Sequence, residues 1–423
     1  MKKNQSVDLL HGPIFKSLSL LAIPIMATYF IQMAYNLVDM LWIGFLGSGA
    51  VASIGVSGNF MYLSNGLVNM PKIGSQALVG QSLGANNQEQ TKNYIQAAFQ
   101  SSLFFALIYG IIIIVFQKYL IQLFNLSDPA IIQDAQNYLW ITCGFIVFSF
   151  VNQIFTGILT AAGHSKSTFI ATTTGLVLNL ILDPVLIFVF NLRVIGAALA
   201  TILAQIIVTL VFLYNTKNLD LFRNIRILSK PKLNHISEIL KIGFPSSVQS
   251  MLFTCISMYI ARLISSFGAI SVAVQKVGSQ IESISWMAAD GFSASINAFT
   301  SQNYGAKNYD RVKQGYKTGM LVVGLWGLLT TAVLIFLPGP IFSCFIHETN
   351  ILPYGIDYLI ILGYSQLFMC IEIATQGAFN GLGKTLPPVL YPLYSRLREF
   401  LWLLYYLNFW ALMVYGGPSP FQV

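Results

Sequence analysis

Ten predominantly apolar runs follow one another along this chain with short polar breaks, each long enough to cross the roughly 30 Å hydrocarbon core of a bilayer. A backbone in lipid must satisfy its N–H and C=O groups within itself, so runs of this kind fold as helices that pack on one another. The pattern predicts spans over roughly 17–46, 51–82, 94–125, 131–162, 167–190, 194–216, 239–267, 271–303, 314–346 and 352–380, with an eleventh starting near 386. Composition agrees: 55% hydrophobic residues, 9% charged and a mean hydropathy of +0.68 belong to an all-α polytopic membrane protein and to no ordinary soluble class. The polar start from Met1 to Lys16 leads into a span of full length, so no cleavable signal peptide is expected.

The net charge of +8 is a topology signal and not a nucleic-acid footprint. With a cytoplasmic amino terminus, Lys16, Lys92, Lys166, Lys307, Arg311, Lys384 and the basic connection 217–238 all fall inside, and only Lys118 and Arg193 fall outside. A multi-pass protein of the cell membrane, monomeric and surrounded by lipid, is expected. Cys143, Cys255, Cys344 and Cys370 show no paired spacing and read as packing residues. His11, His164, His235 and His347 read as loop residues, which disfavours an intramembrane histidine relay or metal centre. The stretch Gly377 to Thr385 imitates a phosphate loop, but five residues separate Gly377 from Gly383 and a membrane helix precedes it. ATP as a direct energy source therefore has no support, no cofactor is expected, and the lack of a nucleophile–base pair disfavours an enzyme.

The chain also repeats itself. Gly80-Gln81-Ser82-Leu83-Gly84-Ala85 resembles Ser301-Gln302-Asn303-Tyr304-Gly305-Ala306 at an offset of 221. Pro24 with Pro245 and Gly47 with Gly268 give 221 again, and Gly157 with Gly377 and Gly163 with Gly383 give 220. An even number of spans per repeat returns the second half to the orientation of the first. The expected architecture is two six-helix lobes related by a parallel pseudo-two-fold, 1–216 and 239–423, joined by the basic linker 217–238, with a cavity between them.

Polar residues inside the spans point to that cavity. Asn179 and Asp183, four apart, share a helical face beside Pro184, whose missing N–H frees the carbonyl of Leu180. A carboxylate at mid-span costs roughly 2.5–3.5 kcal/mol on insertion scales, so a cation cradle is one reading and a helix cap before proline the other. Gln32, Tyr35, Asn36 and Asp39 form one stripe of the first span. Thr201 with Gln205 and Asn152 with Gln153 are further polar pairs; the bland alternative for such neutral residues is inter-helix hydrogen bonding. In the second half Ser279, Glu282, Trp286 and Asp290 share a face, and Glu372 lies near Gln376. These acids either attract cationic cargo or pair with Lys276 and Arg262. Ile260 stands at the repeat equivalent of Asp39, so the halves are chemically unequal.

The stretch Val38-Asp39-Met40-Leu41-Trp42-Ile43-Gly44, the two repeated glycine-bearing motifs and Asn179 through Asp183 together resemble the multidrug and toxic compound extrusion (MATE) family, nearest its prokaryotic DinF-like branch, from about residue 12 to about 390. That resemblance implies a twelve-helix, two-lobed antiporter exporting organic, often cationic, compounds in exchange for Na⁺ or H⁺. It further implies a first-lobe cation or proton site at Asp39, Asn179, Asp183 and Thr201, with Asp39, Asn179 and Asp183 ligating the ion if it is Na⁺. Gln32, Tyr35, Asn36, Asn152, Glu282, Trp286, Asp290 and Glu372 are the expected cavity residues. Gln249 stands where another branch would carry a glutamate. A lipid-linked oligosaccharide flippase of the same superfamily is the alternative, although such proteins line the cavity with more cations than Lys72, Arg262 and Lys276.

Beyond about Leu390 the resemblance fades, and Arg396, Arg398 and Glu399 would lie inside the eleventh span. A one-base frameshift near residue 390 is the hypothesis, with a second lobe truncated after about eleven spans and a non-functional remnant as the consequence. Reading the gene's nucleotides decides it, since an in-frame sequence with no hidden family-like peptide would dismiss the idea.

Overall fold

The structure is a computed structural model that describes residues 6–390, apart from 125, 127, 224, 226, 228, 347, 349 and 350. The frameshift region with Arg396, Arg398 and Glu399, and the expected positions of Arg226 and His347, lie outside the described residues.

The regular elements are helical among the described residues: α1 (Ile14–Gly44), α2 (Ser48–Gly84), α3 (Gln88–Gln122), α4 (Pro129–Gly144), α5 (Ile146–Ala161), α6 (Ser165–Pro184), α7 (Arg193–Thr216), α8 (Leu233–Ser265), α9 (Ala269–Gly305), α10 (Tyr309–Phe336), α11 (Pro338–Ser343) and α12 (Leu352–Gly381). Seven are long and apolar enough to cross a membrane, and α4 with α5, bent by 46°, makes an eighth. Helices α2 and α9, each 37 residues or about 55 Å long, fall below that apolar standard because serine, asparagine and glutamine recur along them.

Four expectations need correction. The run 131–162 bends by 46° at Phe145, between α4 and α5. The run 314–346 breaks at Leu337-Pro338, because proline cannot donate to a continuing helix and constrains the residue before it. The run 167–190 passes at Pro184 into a π turn, Val185–Val189, where Phe190 N–H donates to Val185 O at 3.0 Å. His235 falls in the first turn of α8, edge-on to the Tyr94 ring at 5.1 Å between centroids, and not in a loop.

The sequence repeat is a structural one. Helices α2 and α9 have equal length, and both follow a glycine with positive φ, Gly47 at 101° and Gly268 at 96°. Asn86 and Lys307 share the left-handed region at 54° and 61°. Where α2 meets α9, Gly84 seats against the carbonyl of Gln302 and Gly305 against that of Gln81, a pair of contacts related by the pseudo-two-fold. The same glutamines lock the lobes reciprocally: Gln81 Nε2 donates to Gly381 O at 2.9 Å and Gln302 Nε2 to Ala161 O at 2.6 Å.

All these contacts gather at one end, where the basic turns lie. Hydrogen bonds between the lobes run from Asn69–Ser250 and Ser247–Gly66 through Gln76–Ala294 and Ser295–Leu18 to Asn303–Leu9. Past Ser250, α8 buries no side chain through Ile264. The lobes are therefore sealed at the basic end and part toward the opposite one, leaving a cavity whose floor lies near mid-helix. The connection after α7 is docked on the first lobe, with Phe222, Ile225 and Ile227 on its core and Gln100 donating to Ile227 O and Ser229 O at 2.9 Å.

Candidate functional site: two acids in one lobe and a cavity floor

Helices α1 and α6 pack side by side, which brings Asp39 and Asp183 within hydrogen-bonding reach of each other. Asp183 is fully buried. Its Oδ2 accepts from Asn179 Nδ2 at 2.6 Å, while Oδ1 has no protein partner. Tyr35, one turn before Asp39, reaches Asn179, so the first-span stripe lies along the acid face of α6. Thr201 on α7 donates to Ala197 O at 3.0 Å and adjoins Tyr138 of α4, and Tyr138 is close enough to both aspartates to feel their charge. The π turn after Pro184 packs on Gly196, where a Cβ would stand 2.7 Å from Leu186 O, and this holds α6 against α7.

Two carboxylates this close, one fully buried and the other half-buried, repel unless a proton or a cation lies between them. The oxygens of Asp39, Asp183, Tyr35 and Tyr138 suit either occupant, since hard cations take oxygen ligands. The orphaned Oδ1 of Asp183 is the feature that asks for one, because a buried acceptor without a partner is costly. Asp39 is five residues, about 7.5 Å, from the open end of α1.

The cavity floor lies about 15 Å further along α1, at Tyr29. Tyr29 reaches Asp290 of α9 and sits edge-on to Trp286 at 6.5 Å between centroids. The cation beside Asp290 is Lys72 of the other lobe, not the Lys276 or Arg262 weighed from the sequence. Lys72 donates to Gln153 Oε1 at 2.8 Å, and its stem passes Gly157. Gln376 donates to Gln249 Oε1 at 2.6 Å across the same floor. Between floor and acids, Gln32 donates to Asn36 Oδ1 at 3.1 Å. Glu282 is half-buried near Tyr358, and Glu372 is half-buried on α12. Asn152 is buried and both ends of its amide are engaged by α7: it donates to Gln205 Oε1 at 2.8 Å and accepts from Thr209 Oγ1 at 2.8 Å.

Residue spacing did not disclose Tyr138 or the Lys72–Asp290 proximity. Tyr138 follows Gln133, Asp134 and Asn137, a polar stretch that reads as a helix end, and Lys72 meets Asp290 only because α2 and α9 cross. The one available hint was Lys72 itself, a cation inside a span.

A sequence model of the MatE family matches residues 24–185 and 245–396, about three quarters of the chain and both repeats. The chain belongs to the MatE family. Among curated relatives, a probable multidrug resistance protein NorM of Thermotoga maritima is 27% identical over 386 residues, 89% of this chain and 82% of that protein. The multidrug export protein MepA of Staphylococcus aureus is 25% identical over 331 residues, 77% of this chain and 72% of its own length. The fold matches the outward-facing conformation of a multidrug resistance MATE family transporter of the MOP superfamily at a TM-score of 0.83 and 22% identity, over 92% of this chain and 87% of that one. It also matches a MOP superfamily transporter of Pyrococcus furiosus, described as having a binding pocket of reversed polarity, at 0.79 and 23%, with the same coverage. At those identities the likeness speaks for the fold alone.

Proposed function

We propose that this MatE-family chain is a secondary antiporter of the cell membrane that exports small organic, often cationic, compounds in exchange for Na⁺ or H⁺. The observation that carries the reading is the convergence of Asp39 and Asp183, 144 positions apart in sequence, on one spot of a lobe whose hydrogen bonds to its neighbour gather toward the basic end. By the charge rule the basic end is cytoplasmic, so the cavity opens outward. The relatives' names, multidrug resistance and multidrug export, favour drug-like cargo over a lipid-linked sugar.

The mechanism is linkage. An ion or proton entering between Asp39 and Asp183 draws α1 and α6 together; Asp39, Tyr35, Gln32 and Tyr29 follow one another along α1, so that movement reaches the floor where Trp286 and Asp290 meet cargo. Cargo and ion thus favour different lobe arrangements, and each promotes release of the other. The lobes 1–216 and 239–423 move as the two units, a single chain suffices, and no bound cofactor takes part.

The test is uptake of a fluorescent organic cation into everted vesicles under imposed Na⁺ or proton gradients. Asp39→Asn and Asp183→Asn should insert normally and lose gradient-driven uptake, and whichever gradient drives the wild type names the coupling ion. Unchanged uptake in both variants overturns the site.

A further inference from the structure

Beside the seal at the basic end lies a cavity of about 880 Å³ that the antiport scheme does not use. The amino-terminal strap, residues 6–13, forms one wall, the first turns of α1 a second, and the α5–α6 turn a third. Lys16 and Lys166 line its mouth, and Leu20 and Pro24 carry it down α1 toward the bilayer interior. Leu20, half-exposed on α1, gives that wall an apolar surface. The cavity therefore has a cationic end at head-group level and an apolar end at acyl-chain level.

We infer that this cavity binds the head group of an anionic phospholipid of the inner leaflet. A second feature of the lining asks for an acceptor. Ser165 is 98% buried by its 2% exposure, lines the cavity, and has no hydrogen-bond partner among the described residues. It opens α6, whose N-cap residue His164 makes no side-chain capping bond; the N–H groups of Ser167 and Thr168 donate to His164 O, which leaves those of Ser165 and Lys166 for an acceptor. A phosphodiester accepts from Ser165 and those N–H groups while Lys16 and Lys166 balance its charge, the arrangement by which basic pockets between membrane helices hold lipid head groups. Asp8 also lines the cavity, but its Oδ1 already accepts from the N–H groups of Leu10 and His11, each at 2.9 Å.

The test is native mass spectrometry of the full chain in detergent, titrated with phosphatidylglycerol, phosphatidylcholine and inorganic phosphate. Phosphatidylglycerol should bind above phosphatidylcholine. Affinity should fall roughly fivefold in Lys16→Gln and again in Lys166→Gln, and roughly tenfold in Ser165→Ala. Lys230→Gln, an exposed linker change at the same end, should leave it unmoved. Unfolding midpoints without lipid show that each variant is folded. Equal loss in Lys230→Gln, no preference for phosphatidylglycerol, or displacement by millimolar inorganic phosphate overturns the inference. The readout needs no transport, so dead vesicles with intact lipid binding count against the antiport reading alone.

Discussion

Leu18 and Ile239 hold equivalent positions in the two repeats, 221 residues apart, and each is buried in the core built by the other repeat. Leu18 joins Ile296, Phe299, Cys370 and Ala374, while Ile239 joins Val79, Ile95, Ile158 and Phe212. The basic halves of α1 and α8 are thus exchanged between lobes, which ties the ion-site helix α1 to the packing of the opposite lobe.

That exchange predicts symmetric damage. Leu18→Ala and Ile239→Ala should each lower stability by about 2–4 kcal/mol, the usual cost of a buried large-to-small change. Thermal unfolding in detergent checks this. A large loss in one and none in the other would show that the exchanged halves are not equivalent.

The close approach of α2 and α9 should act as a stop. A valine at Gly84 meets the carbonyl of Gln302, and one at Gly305 meets that of Gln81. Overpacking there costs about 1–3 kcal/mol, enough to raise the share of molecules open at the basic end by roughly tenfold. Ser301→Cys, fully buried at the seal, should label with an impermeant maleimide faster in Gly84→Val than in the parent.

How much of this could be read beforehand depended on whether neighbours in space were neighbours along a helix. The Gln32–Tyr35–Asn36–Asp39 stripe and the Asn179–Asp183 pair follow the helical period, so their shared faces were visible in the letters. The repeat offset also carried over, because Gly47 and Gly268 or Asn86 and Lys307 need the same backbone angles in both halves. Tyr138, the Lys72–Asp290 proximity and the crossed seating of Leu18 and Ile239 arise from how separate helices pack, and no local period records that. The breaks at Pro184 and Leu337 were hidden by apolar runs that continue across them.

Asn152 offers a test of packing against cargo contact. Its hydrogen bonds to Gln205 and Thr209 predict a coupling of about 0.6 kcal/mol between Asn152→Ala and Thr209→Val in a double-mutant cycle of stability. Zero coupling together with altered cargo selectivity in Asn152→Ala would place that amide in the cavity instead.

His164 gives a pH dependence outside the spans. Burial at the α5–α6 turn holds its imidazole below the ordinary 6.5. The folded state then binds fewer protons than the unfolded one once pH falls below 6.5, so stability is full above that value and declines as pH drops toward the lowered one. Unfolding midpoints between pH 8 and 5 should show the decline in the wild type and a flatter profile in His164→Gln.

The central claim is that Asp39 and Asp183 form one site whose ion is exchanged for cargo. Its most direct measurement is ion release from purified protein when a cationic cargo is added, read by a pH dye in weak buffer and by ²²Na⁺ displacement. The account predicts release of a proton or a sodium ion from the wild type and none from either Asp39→Asn or Asp183→Asn, with all three folded. Equal release from the wild type and both variants would contradict it.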